Sequence, residues 1–132
     1  MAVGLLLVTH GRIGEELLTS AARIFSDRPL PCASFSVEQN RDPERVAGDV
    51  ATRLASLDEG DGVLVLVDIF GATPCNIVCR VPDAHPCAIV TGVNLPMVLK
   101  VLNFPSLDLA ALAEIAHEGG REGVLRVADV DF

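Results

Sequence analysis

The chain has 132 residues, half of them apolar, and a formal net charge of −8 at pH 7. Those figures describe one globular domain over residues 1–132 with a real core, and they exclude a disordered chain. They also argue against nucleic acid or an anionic membrane held through a general positive field.

No apolar run is long enough to span a membrane, because Asp, Lys, Pro and Gly interrupt them all. Met1 leads straight into a strand, without the basic segment and cleavable apolar core of an export signal, so a cytoplasmic protein is expected. Ala2 to Val8 is an unbroken apolar strand, and Thr9–His10–Gly11 is the loop after it. Glu15 to Phe25 has helical spacing, and two prolines stiffen the connector 26–31. Cys32 to Val37 is a short strand, and the polar loop after it ends at Asp42, an N-cap with Pro43 at the first helical position. Val46, Val50 and Leu54 then stack with Ala47, Ala51 and Leu57 on one helical stripe.

After the turn 58–62, Val63 to Val67 reads as a strand covered on both faces. Asp68 to Ala72 follows, and Thr73 with Pro74 is expected to cap and open a helix to about Val81. A fourth strand runs from Cys87 to Val90, the loop Thr91 to Asn94 follows it, and a short helix covers Leu95 to Leu102. Ser106 is expected to cap a helix through about His117, with Gly119 and Gly120 ending it and Gly123 to Ala128 forming a last strand.

Strands alternating with helices predict an α/β fold with a parallel sheet covered on both faces. Right-handed crossovers favour the flavodoxin-like order 2-1-3-4, which places the switch point between the first and third strands.

Cys32, Cys75, Cys79 and Cys87 form no CxxC pair, and no ligand spacing joins them to His85 or His117, so they are expected to be buried, reduced, small apolar residues and no metal is expected. His85, in a loop, and His117, near a helix end, are expected at the surface.

The chemistry concentrates at one sheet edge. His10 follows the first strand and Asp68 the third, and the expected order makes those strands neighbours. A carboxylate bonded to one ring nitrogen fixes the tautomer and leaves the other nitrogen a bare nucleophile. A histidine at a strand end is equally at home as a structural residue; Asp68 beside it is what points to function. Thr73 and the amides after Pro74 form a helix N-terminus at the same edge, suited to an anion, and Gly11 and Gly71 permit close backbone approach. Asn94 is placed either to brace the pocket floor or simply to make its turn. The absence of GxxxxGK[ST] and GxGxxG gives no indication of nucleotide binding.

The motifs Leu7–Val8–Thr9–His10–Gly11, Val67–Asp68–Ile69–Phe70–Gly71–Ala72–Thr73–Pro74–Cys75–Asn76 and Thr91–Gly92–Val93–Asn94–Leu95–Pro96–Met97, with Gly120–Arg121–Glu122–Gly123, resemble the enzyme IIA component of the mannose family of the bacterial phosphotransferase system. The resemblance implies a phosphohistidine carrier that needs no cofactor. His10 matches the phosphorylated histidine, Asp68 the carboxylate that bonds its ring, and Thr73 a hydroxyl near the phosphoryl group. Thr9, Gly11, Phe70, Gly71, Ala72 and Asn94 fall around that pocket. The donor would be the phosphocarrier protein HPr and the acceptor an enzyme IIB, with peripheral association to membrane transporter components. It further implies a homodimer in which the last strand pairs antiparallel at the sheet edge. Ala72 stands where the family usually has a second glycine, which leaves the shape of that loop open, and Arg12 occupies a variable position. A free-standing IIA unit would serve sugar uptake or a regulatory relay. The alternatives are a signalling module read through the phosphorylation of His10, the phosphotransfer subunit of dihydroxyacetone kinase, and a non-catalytic flavodoxin-like binding domain.

Overall fold

The computed structural model describes residues 2–25, 29–38, 42–81 and 86–131. His85 and parts of three connectors lie outside them. Strand β1 (Gly4–His10) leads to helix α1 (Ile13–Ile24), β2 (Cys32–Val37) to α2 (Pro43–Leu57), and β3 (Val63–Val67) to α3 (Thr73–Arg80). Strand β4 (Cys87–Thr91) precedes α4 (Leu95–Leu102) and α5 (Leu109–Glu122). The four strands are parallel in the expected order β2-β1-β3-β4.

Alternation along β1 and β3 builds two cores, because successive side chains point to opposite faces. Leu5, Leu7, Leu64 and Leu66 pack with Leu18, Val98, Val101 and Leu112 from α1, α4 and α5. Leu6, Val8, Val63, Val65 and Val67 pack with Val46, Val50, Leu54, Ile77 and Val78 from α2 and α3. With both faces covered, each fully buried leucine or valine contributes about 1.5–3 kcal/mol.

Asp42 caps α2 as expected, its carboxylate accepting from the Glu44 amide at 3.2 Å. Other ends differ. Strand β1 runs on to His10, which pairs with Val37, so Thr9 and His10 are strand residues rather than loop. Ala72, not Thr73, is the N-cap of α3, and its carbonyl accepts from the Asn76 amide at 3.0 Å. Asp108, not Ser106, caps α5, accepting from the Ala111 amide at 2.9 Å.

Gly119 and Gly120 do not end α5; they are buried inside it. A Cβ on Gly119 would stand 2.7 Å from Lys100 Cβ, and one on Gly120 2.6 Å from Met97 Cε. The glycines let α5 lie close against α4, a packing role that overrides their poor helix propensity.

The expected antiparallel strand over Gly123–Ala128 is absent. Residues 124–126 pair with no strand, and a 3₁₀ turn spans Val127–Asp129. Val124, Leu125 and Val127 are 76%, 68% and 71% exposed. A strand needs a neighbouring edge to complete its ladder, and among the described residues no strand pairs with this stretch.

The cysteines are not uniformly buried: Cys75 is, Cys32 is half-buried, and Cys79 and Cys87 are exposed. Cys79 lies on the outer side of α3, and Cys87 begins the edge strand β4. Burial pushes the Cys79 thiol up, and Cys75 and Cys87 add to the shift, so it stays neutral at pH 7. Among the described residues no three His, Cys, Asp or Glu side chains gather to hold a metal ion, and no helix is long and apolar enough to cross a membrane.

Candidate active site

The register places the site. Val8 of β1 lies opposite Val67, the last residue of β3, so the chain leaves β3 at Asp68 beside the end of β1. Asp68 Oδ2 accepts from Nδ1 of the His10 ring at 2.7 Å and from the His10 amide at 2.9 Å, and Oδ1 accepts from the Ile69 amide at 3.0 Å. The His10 side chain is 41% exposed and that of Asp68 10%. Burial raises the Asp68 pKa. The His10 amide, the His10 ring and its charge, and the Ile69 amide outweigh that and hold it below the usual carboxylate range.

An ionised carboxylate only accepts, so the proton between the two rests on Nδ1. The lone pair of the neutral ring is then on Nε2. This histidine is half-open to solvent and bonded to a largely buried carboxylate, which leaves Nε2 able to act as a nucleophile.

The loop from Gly71 to Thr73 leads from Asp68 into α3. Gly71 sits at φ 79° and Gly11 at φ 47°, and an added Cβ would meet nothing within 4 Å at either. Backbone conformation, not space, holds glycine at both positions. Ala72 is at φ −86°, ψ 175°, extended backbone that alanine adopts freely, so the second glycine of the family pattern is not needed. Asn76 reaches back from the first turn of α3 and its Nδ2 donates to the Gly71 carbonyl at 3.3 Å. That brace went unrecognised in the sequence; an amide side chain one turn after a left-handed glycine is its signal. Thr73 is exposed at the start of α3, where the first amides of a helix lack internal partners.

The other expected pocket residues have varied places. Phe70 is 80% exposed and stands out from the loop, beside Ile69 at 55%. Thr9 is 1% exposed and beneath the surface. Asn94 makes two side-chain bonds, to its own helix and to α5. Its Oδ1 caps α4 by accepting from the Met97 amide at 2.9 Å, and its Nδ2 donates to the Gly120 carbonyl at 3.0 Å. The Val93 amide donates to the Val67 carbonyl at 3.0 Å, which fastens this loop to the end of β3. Arg12 is exposed and pairs with Glu16 at 3.1 Å and Glu15 at 3.4 Å, both within the first turn of its own helix. His117 is exposed on α5.

This chain is similar to known proteins over most of its length. A family model, EIIA-man, described as PTS system fructose IIA component, matches residues 4–118. The mannose-specific EIIAB component of the PTS system of Escherichia coli K12 is 34% identical over 130 residues, covering 94% of this chain and 39% of that protein. The chain thus spans well under half the length of the curated relatives it matches. Among solved structures, the mannose/sorbose specific IIA subunit of the phosphotransferase system from Enterococcus faecalis superposes with a TM-score of 0.84 at 28% identity, covering 100% of this chain and 98% of that one. The EIIA component from Streptococcus agalactiae has the same fold, with a TM-score of 0.83 at 16% identity, covering 97% and 99%.

Proposed function

The chain belongs to the EIIA-man family of phosphotransferase-system IIA components, and from that membership and the His10–Asp68 geometry we propose that it is a phosphohistidine carrier for sugar uptake. It takes a phosphoryl group from phosphorylated HPr and passes it to an enzyme IIB. The observation that carries this reading is the 2.7 Å bond between Asp68 Oδ2 and His10 Nδ1.

The Nε2 lone pair attacks phosphorus in line. A new N–P bond forms as the donor's bond to phosphorus breaks, and that electron pair returns to the donor's leaving nitrogen. The His10 ring becomes cationic, and Asp68 stabilises it through the Nδ1 proton. The amides at the start of α3 and the backbone around Gly11 and Gly71 receive the phosphoryl oxygens. In the second step the acceptor's nucleophile attacks the same phosphorus and the ring leaves neutral. Transfer of this kind depends mainly on positioning and on fixed dipoles.

Ile13, Ile69 and Phe70 are 47%, 55% and 80% exposed on the segments that follow β1 and β3. An apolar rim beside the nucleophile suits a protein partner better than a small substrate. A homodimer is the second part of this proposal. β4 is a sheet edge, and the apolar tail residues Val124, Leu125 and Val127 lie uncovered.

The test is incubation with enzyme I, HPr and phosphoenolpyruvate. One acid-labile phosphate per chain is expected, and none on His10→Ala. Uptake by His10→Ala would move the site elsewhere.

A further inference from the structure

The geometry points to Thr9 as the positioning residue of the phosphorylation site: its buried hydroxyl sets the backbone of His10 and thereby aims the ring. This rests on the carrier reading above and adds a group that touches neither phosphorus nor partner.

Thr9 is the buried polar residue among the described ones, at 1% exposure. Its neighbours in β1, Leu7 and Val8, are fully buried apolar residues, and a valine would fill the same space. The hydroxyl is used in both directions. It donates to the His10 carbonyl at 3.2 Å and accepts from the Gly14 amide at 2.9 Å. Gly14 lies in the first turn of α1, whose N-cap residue Arg12 makes no side-chain cap bond. Thr9 therefore satisfies, from the strand, an amide that a capping side chain usually takes. A Cβ on Gly14 would stand 3.1 Å from Leu7 Cβ and 3.2 Å from Thr9 Oγ1, so the glycine keeps helix and strand close enough for that bond.

His10 is consequently held on both sides of its Cα. Its amide and ring donate to Asp68 Oδ2, and its carbonyl accepts from Thr9. The carbonyl precedes Gly11 at φ 47°, where the chain turns sharply into α1. Without the hydroxyl that carbonyl loses its donor and the Gly14 amide its acceptor, so the turn from His10 into α1 is held less firmly. A threonine rather than a valine at this point in an apolar strand is explained by what it holds, not by packing.

The test compares Thr9→Val, which removes the hydroxyl at constant shape, with Thr9→Ser, which keeps it. For Thr9→Val, phosphoryl uptake from phosphorylated HPr is expected to fall about tenfold in kcat with KM unchanged. In the unphosphorylated protein the NMR signal of the His10 Nδ1 proton is expected to shift or broaden. Thr9→Ser should restore both. A folded Thr9→Val with wild-type kcat and an unmoved Nδ1 proton overturns the proposal, as does a Thr9→Ser as slow as Thr9→Val. If Thr9→Val does not fold, Thr9→Ala takes its place. Failure of both to fold assigns the hydroxyl to the fold itself and also overturns the proposal. Absence of phosphoryl uptake by the wild type would instead defeat the carrier reading, and the Nδ1 proton would still judge Thr9.

Discussion

One oxygen of Asp68 holds His10 at two points: Oδ2 accepts from the backbone amide at 2.9 Å and from ring Nδ1 at 2.7 Å. The two donors belong to the same residue, so ring and backbone are fixed relative to each other. An arrangement of this kind removes rotamer freedom before the partner arrives.

Asp68→Asn tests that relationship directly. An amide lacks the charge that stabilises a cationic ring, and it can present a donor where the carboxylate only accepts. Phosphoryl uptake is expected to slow by roughly 10²-fold, while HPr binding is retained. The measurement is single-turnover uptake from phosphorylated HPr, beside a binding titration. An unchanged rate removes Asp68 from the mechanism.

The same carboxylate makes a pH signature. Its folded pKa lies below its unfolded value, so the stability it contributes is fully present above the unfolded carboxylate pKa of about 3.9 and is lost as pH falls through the folded value. The stability difference between wild type and Asp68→Asn should therefore shrink as pH falls below about 4. Denaturant unfolding at several pH values reads it. A difference that grew below about pH 4 would reverse the assigned direction.

Gly119 and Gly48 are both helical, yet their alanine variants should move in opposite directions. A Cβ on Gly119 would stand 2.7 Å from Lys100 Cβ, near the backbone of α4, whereas a Cβ on Gly48 meets nothing within 4 Å. Gly119→Ala is expected to destabilise by about 1–3 kcal/mol through overpacking. Gly48→Ala should stabilise by about 0.5–1 kcal/mol through helix propensity. Thermal unfolding separates them, and a stabilised Gly119→Ala would show that α5 does not need its close approach to α4.

The tail makes the fourth test. If Val124, Leu125 and Val127 are covered by a second copy, Leu125→Ser with Val127→Ser should turn a dimer into a monomer in sedimentation equilibrium. Each apolar side chain left uncovered would withdraw about 1.5–3 kcal/mol from the association. A wild type that sediments as a monomer would end the dimer proposal.

Much of this was legible in the sequence, and the reasons differ by element. The apolar runs of β1 and β3 announce strands buried on both faces, and alternation with helices through right-handed crossovers favours the order β2-β1-β3-β4. The meeting of His10 and Asp68 follows from that order alone. Gly119 and Gly120 read as a helix stop because glycine breaks helices locally; only the contact with Lys100 and Met97 shows them as packing positions. The strand expected after Gly123 did not form although its sequence is strand-like, because among the described residues no strand pairs with it. The family resemblance put Thr9 around the pocket, but nothing in the sequence says that its hydroxyl reaches Gly14 from beneath the surface.

The outward nitrogen of His10 carries a consequence for traffic through the protein. In the carrier proposed above, with Nδ1 bonded to Asp68, cargo would be loaded and unloaded at the single remaining ring nitrogen. Supplier and recipient would then have to occupy the same berth by turns, each departing before the other could dock.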